Sequence, residues 1–320
     1  WQIVYYDLQE RNFKPQIDSI LNAVDLSIST YLPGSLIDQW NKSDSGIIVD
    51  QLFLDVLKVS RRAYEASNGA FDPTVKPLVT YWGFGPEMFA HPEKAEQDKI
   101  DSLLELVNFD TLLVYQDEIP VLWHHVLYSN RVKAPIFLEK PMPEMQLDFN
   151  AVGQGWSVDL LANFLEKKGI RGYFVEVGGE IRVGQPKPGG ELWKFGIDKP
   201  IENLNERELQ AIINLKNSGL ATSGSYRKFY EKNGLKFSHT IDPTTGYPVN
   251  HSLLSATVVS RTAGDADAMA TAYMVMGTDS VINFLNRSNN RDNVFLIYNE
   301  NGVFKTYTSD GLKDLIQDVD

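Results

Sequence analysis

The residues best suited to chemistry fall into three segments, the first being Gly264-Asp265-Ala-Asp267-Ala-Met-Ala-Thr271-Ala272. Asp267 and Thr271 are four apart, so on a helix they share one face, one turn apart. A carboxylate and a hydroxyl at that spacing can hold one hard cation. Magnesium takes only one or two carboxylates and keeps water or substrate phosphate at its other positions. Asp265 lies about 200° round the helix from Asp267, which keeps the two side chains apart. The segment also reads as a first helical turn made acidic by the helix dipole, or as the Asp-x-Asp of a nucleotide-sugar transferase.

The second segment is Asp148-Phe-Asn-Ala151-Val-Gly-Gln154-Gly155-Trp-Ser-Val-Asp159. A strand end, a glycine-punctuated turn and a helix start leave backbone amides and carbonyls open to a ligand, and the helix N-terminus favours an anion. The spacing is neither that of a Walker loop nor that of a dinucleotide fingerprint. A plain strand-to-helix connection would look the same. The third segment joins Ala221-Thr-Ser-Gly-Ser-Tyr226 with Phe237-Ser-His239-Thr-Ile241-Asp-Pro-Thr-Thr-Gly246. His239 enters a Pro-Thr-Thr-Gly turn and could act as a base near neutral pH, or be a packed or surface histidine. His124 and His125 fall in a run that reads as a strand, where neighbours point to opposite faces and cannot readily chelate one ion. The chain has no cysteine, which excludes disulfides, thiolate chemistry and cysteine metal sites.

These segments need elements to position them. Helical spacing of apolar residues predicts helices near 14–26, 51–67 and 155–168, and further helices are expected near 264–276 and 280–285. Strand patterns cover 3–6, 112–115, 121–127, 136–138, 173–177, 193–197, 208–215, 220–222, 237–241 and 254–259. A terminal hairpin pairs 294–298 with 303–307 about Asn301-Gly302. Tyr81-Trp-Gly-Phe-Gly-Pro86 reads as an aromatic, glycine-rich loop, and 91–97 as a charged surface insertion. Strands and helices mix without regular alternation, which favours α+β with mixed or antiparallel sheets over a doubly wound fold. Motifs in both halves predict one unit over 1–320, made of two packed lobes with the site between them.

Composition narrows the partners. Hydrophobic residues make up 43% of the 320, enough for a substantial core. The formal net charge of −12 repels nucleic-acid phosphate. A phosphorylated cofactor would therefore need a local device, either a cation or a cluster of backbone amides. No run approaches the roughly 18 apolar residues of a membrane span. The opening Trp1-Gln-Ile-Val-Tyr-Tyr6 reads as a strand already under way, from which a leader and a tether are expected to have been removed.

Taken in order, seven segments resemble the ApbE family of FAD:protein FMN transferases, once described as thiamine-biosynthesis lipoproteins, over residues 26–277. They are Gly69-Ala-Phe-Asp-Pro-Thr-Val75, Trp82-Gly-Phe-Gly-Pro86, Asp148 to Asp159, and Val177-Gly-Gly-Glu180. Ala221-Thr-Ser-Gly224, His239-Thr-Ile-Asp-Pro-Thr-Thr-Gly246 and Ala266-Asp-Ala-Met-Ala-Thr-Ala272 complete the series. The resemblance implies a T-fold-related architecture and a magnesium-dependent transfer of FMN from FAD to a Ser or Thr hydroxyl of another protein, with release of AMP. It implies FAD contacts at Ala70, Phe71, Asp72, Asp148, Gln154 and Ile241. It puts Mg2+ at the Ala151 carbonyl, Asp267 and Thr271, and His239 in the role of base. Gln154 stands where relatives often carry a charge, and Trp156 replaces a common tyrosine. The family's opening Gly-Thr strand and lipid-attachment cysteine are absent from this sequence. Acceptors in relatives are subunits of membrane redox complexes such as sodium-pumping NADH:quinone oxidoreductase or RNF. That implies the periplasmic side of the inner membrane and a lipid anchor in the full-length form. An FAD pyrophosphatase giving FMN and AMP, and a non-enzymatic FAD-binding protein, are the alternative functions.

Overall fold

In the computed structural model every residue is described except 86–91, 93–94, 130, 202–207, 226–228, 233–234, 288–291 and 320. The chain opens with β1 (Gln2–Tyr5), α1 (Lys14–Ile28), α2 (Leu36–Lys42), β2 (Gly46–Val49) and α3 (Gln51–Ala66). Next come α4 (Lys76–Tyr81), α5 (Gln97–Leu104), β3 (Leu113–Gln116), β4 (Ile119–Val121), α6 (Trp123–Tyr128) and β5 (Ile136–Glu139). The long α7 (Gly153–Lys167) leads to β6 (Tyr173–Val177), β7 (Glu180–Val183), β8 (Trp193–Asp198), β9 (Leu209–Leu215) and β10 (Ser218–Gly224). The last third holds β11 (Phe229–Lys232), β12 (Leu235–Ser238), β13 (Leu253–Ser260), α8 (Ala263–Met276) and α9 (Thr278–Arg287). It ends with β14 (Asn293–Glu300), β15 (Val303–Thr308) and β16 (Ile316–Asp318).

The chain divides into two compact units. The first comprises Trp1–Ile17, Gln154–Thr240 and Val249–Asp320. Its seven-stranded sheet runs β1-β6-β7-β10-β13-β14-β15, every pairing antiparallel. Register sorts the side chains by face, because successive residues alternate. Leu220 pairs with Val259 and Thr257 with Phe295, so Leu220, Val259 and Phe295 share one face. That face packs on a second sheet, β16-β9-β8, whose Trp193, Ile197, Ile213 and Leu215 join the same buried cluster. Gly219 belongs to the opposite face, where α8 lies so near that a Cβ would sit 2.3 Å from the Ala263 nitrogen. Buried Ala266, Ala268, Ala270 and Ala272 suit α8 to such close packing. The β14–β15 hairpin turns at Asn301 and Gly302, both at positive φ, as a primed turn requires.

The second unit comprises Asp18–Gly153 and Ile241–Pro248. Its antiparallel sheet runs β2-β5-β3-β4. Trp40, fully buried, donates its indole N–H to the Leu138 carbonyl at 3.0 Å, and Phe53 meets Phe149 edge to face. Lys140 Nζ donates to the carbonyls of Trp40, Asn41 and Ser43, a favourable place for a cation at the end of α2. No described helix is long and apolar enough to cross a membrane.

One expected element is overturned. The strand anticipated at 121–127 stops at Val121, and α6 takes over. Val126 is fully buried and the Trp123 indole donates to the Leu112 carbonyl, anchorage that a short apolar run does not advertise. His124 and His125 therefore sit on one helical turn, with ring centroids 5.8 Å apart, and the opposite-faces argument does not apply. The helix expected at 280–285 extends over Thr278–Arg287, and the strand expected at 237–241 ends at Ser238. Several elements of at most eight residues, α2, α4, α5, β2, β7, β11 and β16, lie outside the anticipated set. Pro86, Tyr226 and residues 91, 93 and 94 of the anticipated insertion lie outside the described residues.

Candidate functional site

The first unit builds its polar centre where α7 meets α8. Thr262 caps α8: its Oγ1 accepts from the Asp265 amide at 3.2 Å and donates to Asp265 Oδ2 at 2.6 Å. Asp265 is thereby engaged at the helix start. Asp267, two residues on, is only 8% exposed, and its Oδ2 accepts from the Gly155 amide at 3.0 Å. Burial lifts its carboxyl well above the ordinary range; the Gly155 amide opposes that shift and the neighbouring Asp159 charge adds to it. Thr271 follows one turn later and is partly exposed.

Asp159 makes the junction rigid. From α7 its Oδ1 accepts from the Ala263 amide at 3.0 Å and its Oδ2 from the Gly264 amide at 2.8 Å. Two orphan donors of α8 are thus satisfied by a side chain of another helix. Arg182 of β7 donates to Asp159 Oδ1 at 2.8 Å and lies 3.6 Å from Glu166, which accepts from the Tyr173 hydroxyl at 2.6 Å. Burial raises the Asp159 carboxyl, while the two amides and Arg182 pull it back. The sequence reading gave Asp159 and Arg182 no role. The available signal was the four-residue step from Gly155 to Asp159, which puts both on one face of α7.

The glycines of the second sequence segment serve this packing. A Cβ at Gly155 would lie 2.4 Å from the Ala263 carbonyl oxygen and 2.8 Å from Asp267 Cβ. The segment is therefore more than a plain connection between strand and helix. Gln154 is exposed, and its side-chain amide lies against Gly178, where a Cβ would come within 2.0 Å of Nε2. Gly178 sits at φ +68°, so this approach needs glycine on both counts. His239 is partly exposed between buried Ser238 and Thr240, just before the chain passes into the other unit at Ile241.

The second unit gathers the remaining candidates. The Asp148 amide donates to the Pro73 carbonyl at 2.8 Å, which joins the Ala70-Phe71-Asp72 segment to the turn that precedes α7. Phe71 and Asp72 are buried, and Asp72 Oδ1 accepts from the Thr74 amide and hydroxyl at 2.8 and 2.6 Å. Burial dominates at Asp72 and pushes its carboxyl up to about 6. Ala151 is partly buried in the turn after Asp148. Ile241 bridges to Pro248 and closes a loop in which the Gly246 amide donates to the Asp242 carbonyl. The buried Trp82 indole donates to the Gly246 carbonyl at 2.8 Å, a contact between two motifs that the sequence reading had left separate.

Among the described residues no group of three or more His, Cys, Asp or Glu could hold a metal. An ion here would draw on mixed oxygen donors, and Asp267 suits one. Its carboxylate is buried, has one amide donor and has no ion pair with Lys, Arg or His among the described residues. A lone carboxylate oxygen donor is chemistry that a hard cation such as magnesium accepts, since it keeps most of its sphere for water and phosphate.

Comparison with known proteins identifies the family and the fold. The sequence profile described as the ApbE family matches residues 1–296. The chain is 34% identical over 308 residues to the FAD:protein FMN transferase of Vibrio cholerae, covering 96% of this chain and 85% of that protein. The FAD:protein FMN transferase of Escherichia coli K12 is 34% identical, with 95% and 81% covered. Among solved structures, the flavin transferase ApbE from Vibrio cholerae superposes with a TM-score of 0.78 at 30% identity, covering 98% of this chain and 93% of that one. The apo flavinyl transferase ApbE of Pseudomonas stutzeri gives 0.81 at 26% identity, with 98% and 92% covered.

Proposed function

The chain belongs to the ApbE family, and from that membership we propose that it is an enzyme transferring FMN from FAD to a target protein. The α+β fold with antiparallel sheets agrees with the ApbE structures it resembles. One observation carries the reading of the site: a buried carboxylate, Asp267, held by a glycine amide of another helix at the point where α7 and α8 begin. An acidic chain that must receive a pyrophosphate needs such an anchor for a counter-ion.

In the finer proposal, the acceptor is a Ser or Thr hydroxyl. Its oxygen attacks the FMN-side phosphorus, the bond from that phosphorus to the bridging oxygen breaks, and AMP leaves carrying that oxygen. His239 would take the hydroxyl proton, a contribution of about 10²–10⁴-fold for a placed general base. Asp267, Thr271 and the Ala151 carbonyl would hold magnesium, which when bound offsets pyrophosphate charge. FAD contacts are proposed at Ala70, Phe71, Asp72, Asp148, Gln154 and Ile241. Asp159 and Arg182 would keep α8, and Asp267 with it, fixed against α7.

The test is mass spectrometry of a Ser/Thr-containing acceptor peptide after incubation with the protein, FAD and magnesium. The expected product is the peptide with one FMN on a hydroxyl, matched by AMP. Free FMN and AMP beside unmodified peptide would make the protein a hydrolase, and no AMP at all would reduce it to an FAD-binding protein.

A further inference from the structure

We propose that the open end of the two-sheet sandwich in the first unit binds a small amphipathic anion, a carboxylate or phosphate head on a short apolar body. The cavity there has a volume of ≈ 630 Å³, within the range of roughly 300–1,000 Å³ of small-molecule sites. None of the residues assigned to FMN transfer lines it, so this inference stands apart from that reading.

Alternation of side chains builds the site. Leu220 and Val259 belong to the core between the sheets. Ser218 precedes Leu220 by two residues on β10 and so continues the core face, and Arg261 stands just past the end of β13. Across from them, β9 places Leu215 in the same core and then turns at Lys216 and Asn217, the latter at φ +47°. The lining therefore grades from apolar to polar. Leu192, Leu215, Val259 and Leu315 supply its apolar side, and the exposed Lys216 and Arg261 its charged one.

The polar groups there are underused. Neither Lys216 nor Arg261 forms an ion pair among the described residues, and both are exposed. The Ser218 hydroxyl oxygen is buried and makes no hydrogen bond. The burial of that oxygen keeps it out of reach from the cavity, so recognition of a head group rests on the two cations. Asp292 also lines the cavity, but its carboxylate already accepts from the Tyr273 hydroxyl at 2.9 Å. Two cations against one engaged carboxylate give a positive rim on a chain whose net charge is −12. An anionic head would meet Lys216 and Arg261, with its apolar body on the leucine and valine side chains.

Isothermal titration of the intact protein with octanoate, octyl phosphate and octan-1-ol tests this. Saturable binding of at least one anion is expected, with octan-1-ol about tenfold weaker or worse. The charge-neutral variant Lys216→Gln/Arg261→Gln, which alters exposed side chains, is expected to lose about tenfold in anion affinity. Its melting temperature and FMN transfer should be unchanged. The preferred head group, carboxylate or phosphate, will show which class of ligand is natural. Failure of both anions to saturate, equal affinity for octan-1-ol, or undiminished binding by the double variant would each overturn the proposal. If that variant proves unstable, the single variants Lys216→Gln and Arg261→Gln provide the second arm, and unchanged anion affinity in both would also count against the site.

Discussion

The amide of Gly155 and the carboxylate of Asp267, 112 residues apart in sequence, lie 3.0 Å apart and join the first turn of α7 to the second turn of α8. Gly155→Ala sets two effects in opposition. Alanine gains up to about 1 kcal/mol in helix propensity. Its Cβ, however, would lie 2.4 Å from a backbone carbonyl oxygen that cannot swing aside alone. The clash wins, and a net loss of about 1–3 kcal/mol is expected. Urea unfolding will measure it, and a variant as stable as the parent would mean that the helices can separate without cost.

Asp267→Asn retains the shape of the side chain and removes the buried charge. The variant is expected to fold with a melting temperature no lower than the parent's, because burial already disfavours the ionised form. FMN transfer should fall by about 10²-fold or more, since a metal's electrostatic help is typically worth several kcal/mol. Magnesium should raise the melting temperature of the parent and leave that of the variant unmoved. An equal magnesium shift in both proteins would remove Asp267 from the metal site.

Asp159→Ala removes the nearer carboxylate partner of Arg182, which keeps only Glu166 at 3.6 Å, and takes the acceptor from two amides of α8. Breaking a buried pair from one side costs about 3–5 kcal/mol. The double change Asp159→Ala/Arg182→Met should be less damaging than the single one, because the buried cation is removed together with its nearer partner, while the more exposed Glu166 keeps the Tyr173 hydroxyl. Chemical denaturation of the three proteins will show the order, and strict additivity would argue that the two residues do not act as a pair.

Asp72 gives the pH dependence. Burial raises its folded carboxyl from 3.8 to about 6, so the folded state binds the proton more tightly than the unfolded chain. Its contribution to stability is therefore fully present below about pH 4 and lost as pH rises to about 6, with a ceiling of about 3 kcal/mol. Asp72→Asn keeps an acceptor for Thr74 and should flatten that part of the stability profile. Melting temperatures from pH 4 to 7 that remain parallel in the two proteins would refute the assignment.

Trp82→Phe keeps the ring and removes the donor to the Gly246 carbonyl. Leaving that buried carbonyl unsatisfied should cost about 1–3 kcal/mol. Amide hydrogen exchange is expected to rise at Gly246, whose N–H closes the same turn on Asp242. Unchanged protection there would show that the turn stands without the indole.

What could be learned from the chain without coordinates was what lies within a few residues. The 3.6-residue rhythm located α3 and α7, the two-residue rhythm and Asn301-Gly302 located the last hairpin, and a four-residue step put Asp267 and Thr271 one turn apart. Even the division of labour between Asp265 and Asp267 has a local trace, in the three-residue step from the Thr262 cap to Asp265. Where a run was short the rhythm misled, as at α6, because six residues cannot distinguish a buried helical turn from a strand. Only the tertiary structure decided which acceptor the Gly155 amide meets, which carboxylate covers the start of α8, and which carbonyl the Trp82 indole finds. The reason is physical. A helix leaves its first amides without partners inside itself, so their partners come from segments whose approach is set by packing over the whole unit rather than by any neighbour in sequence.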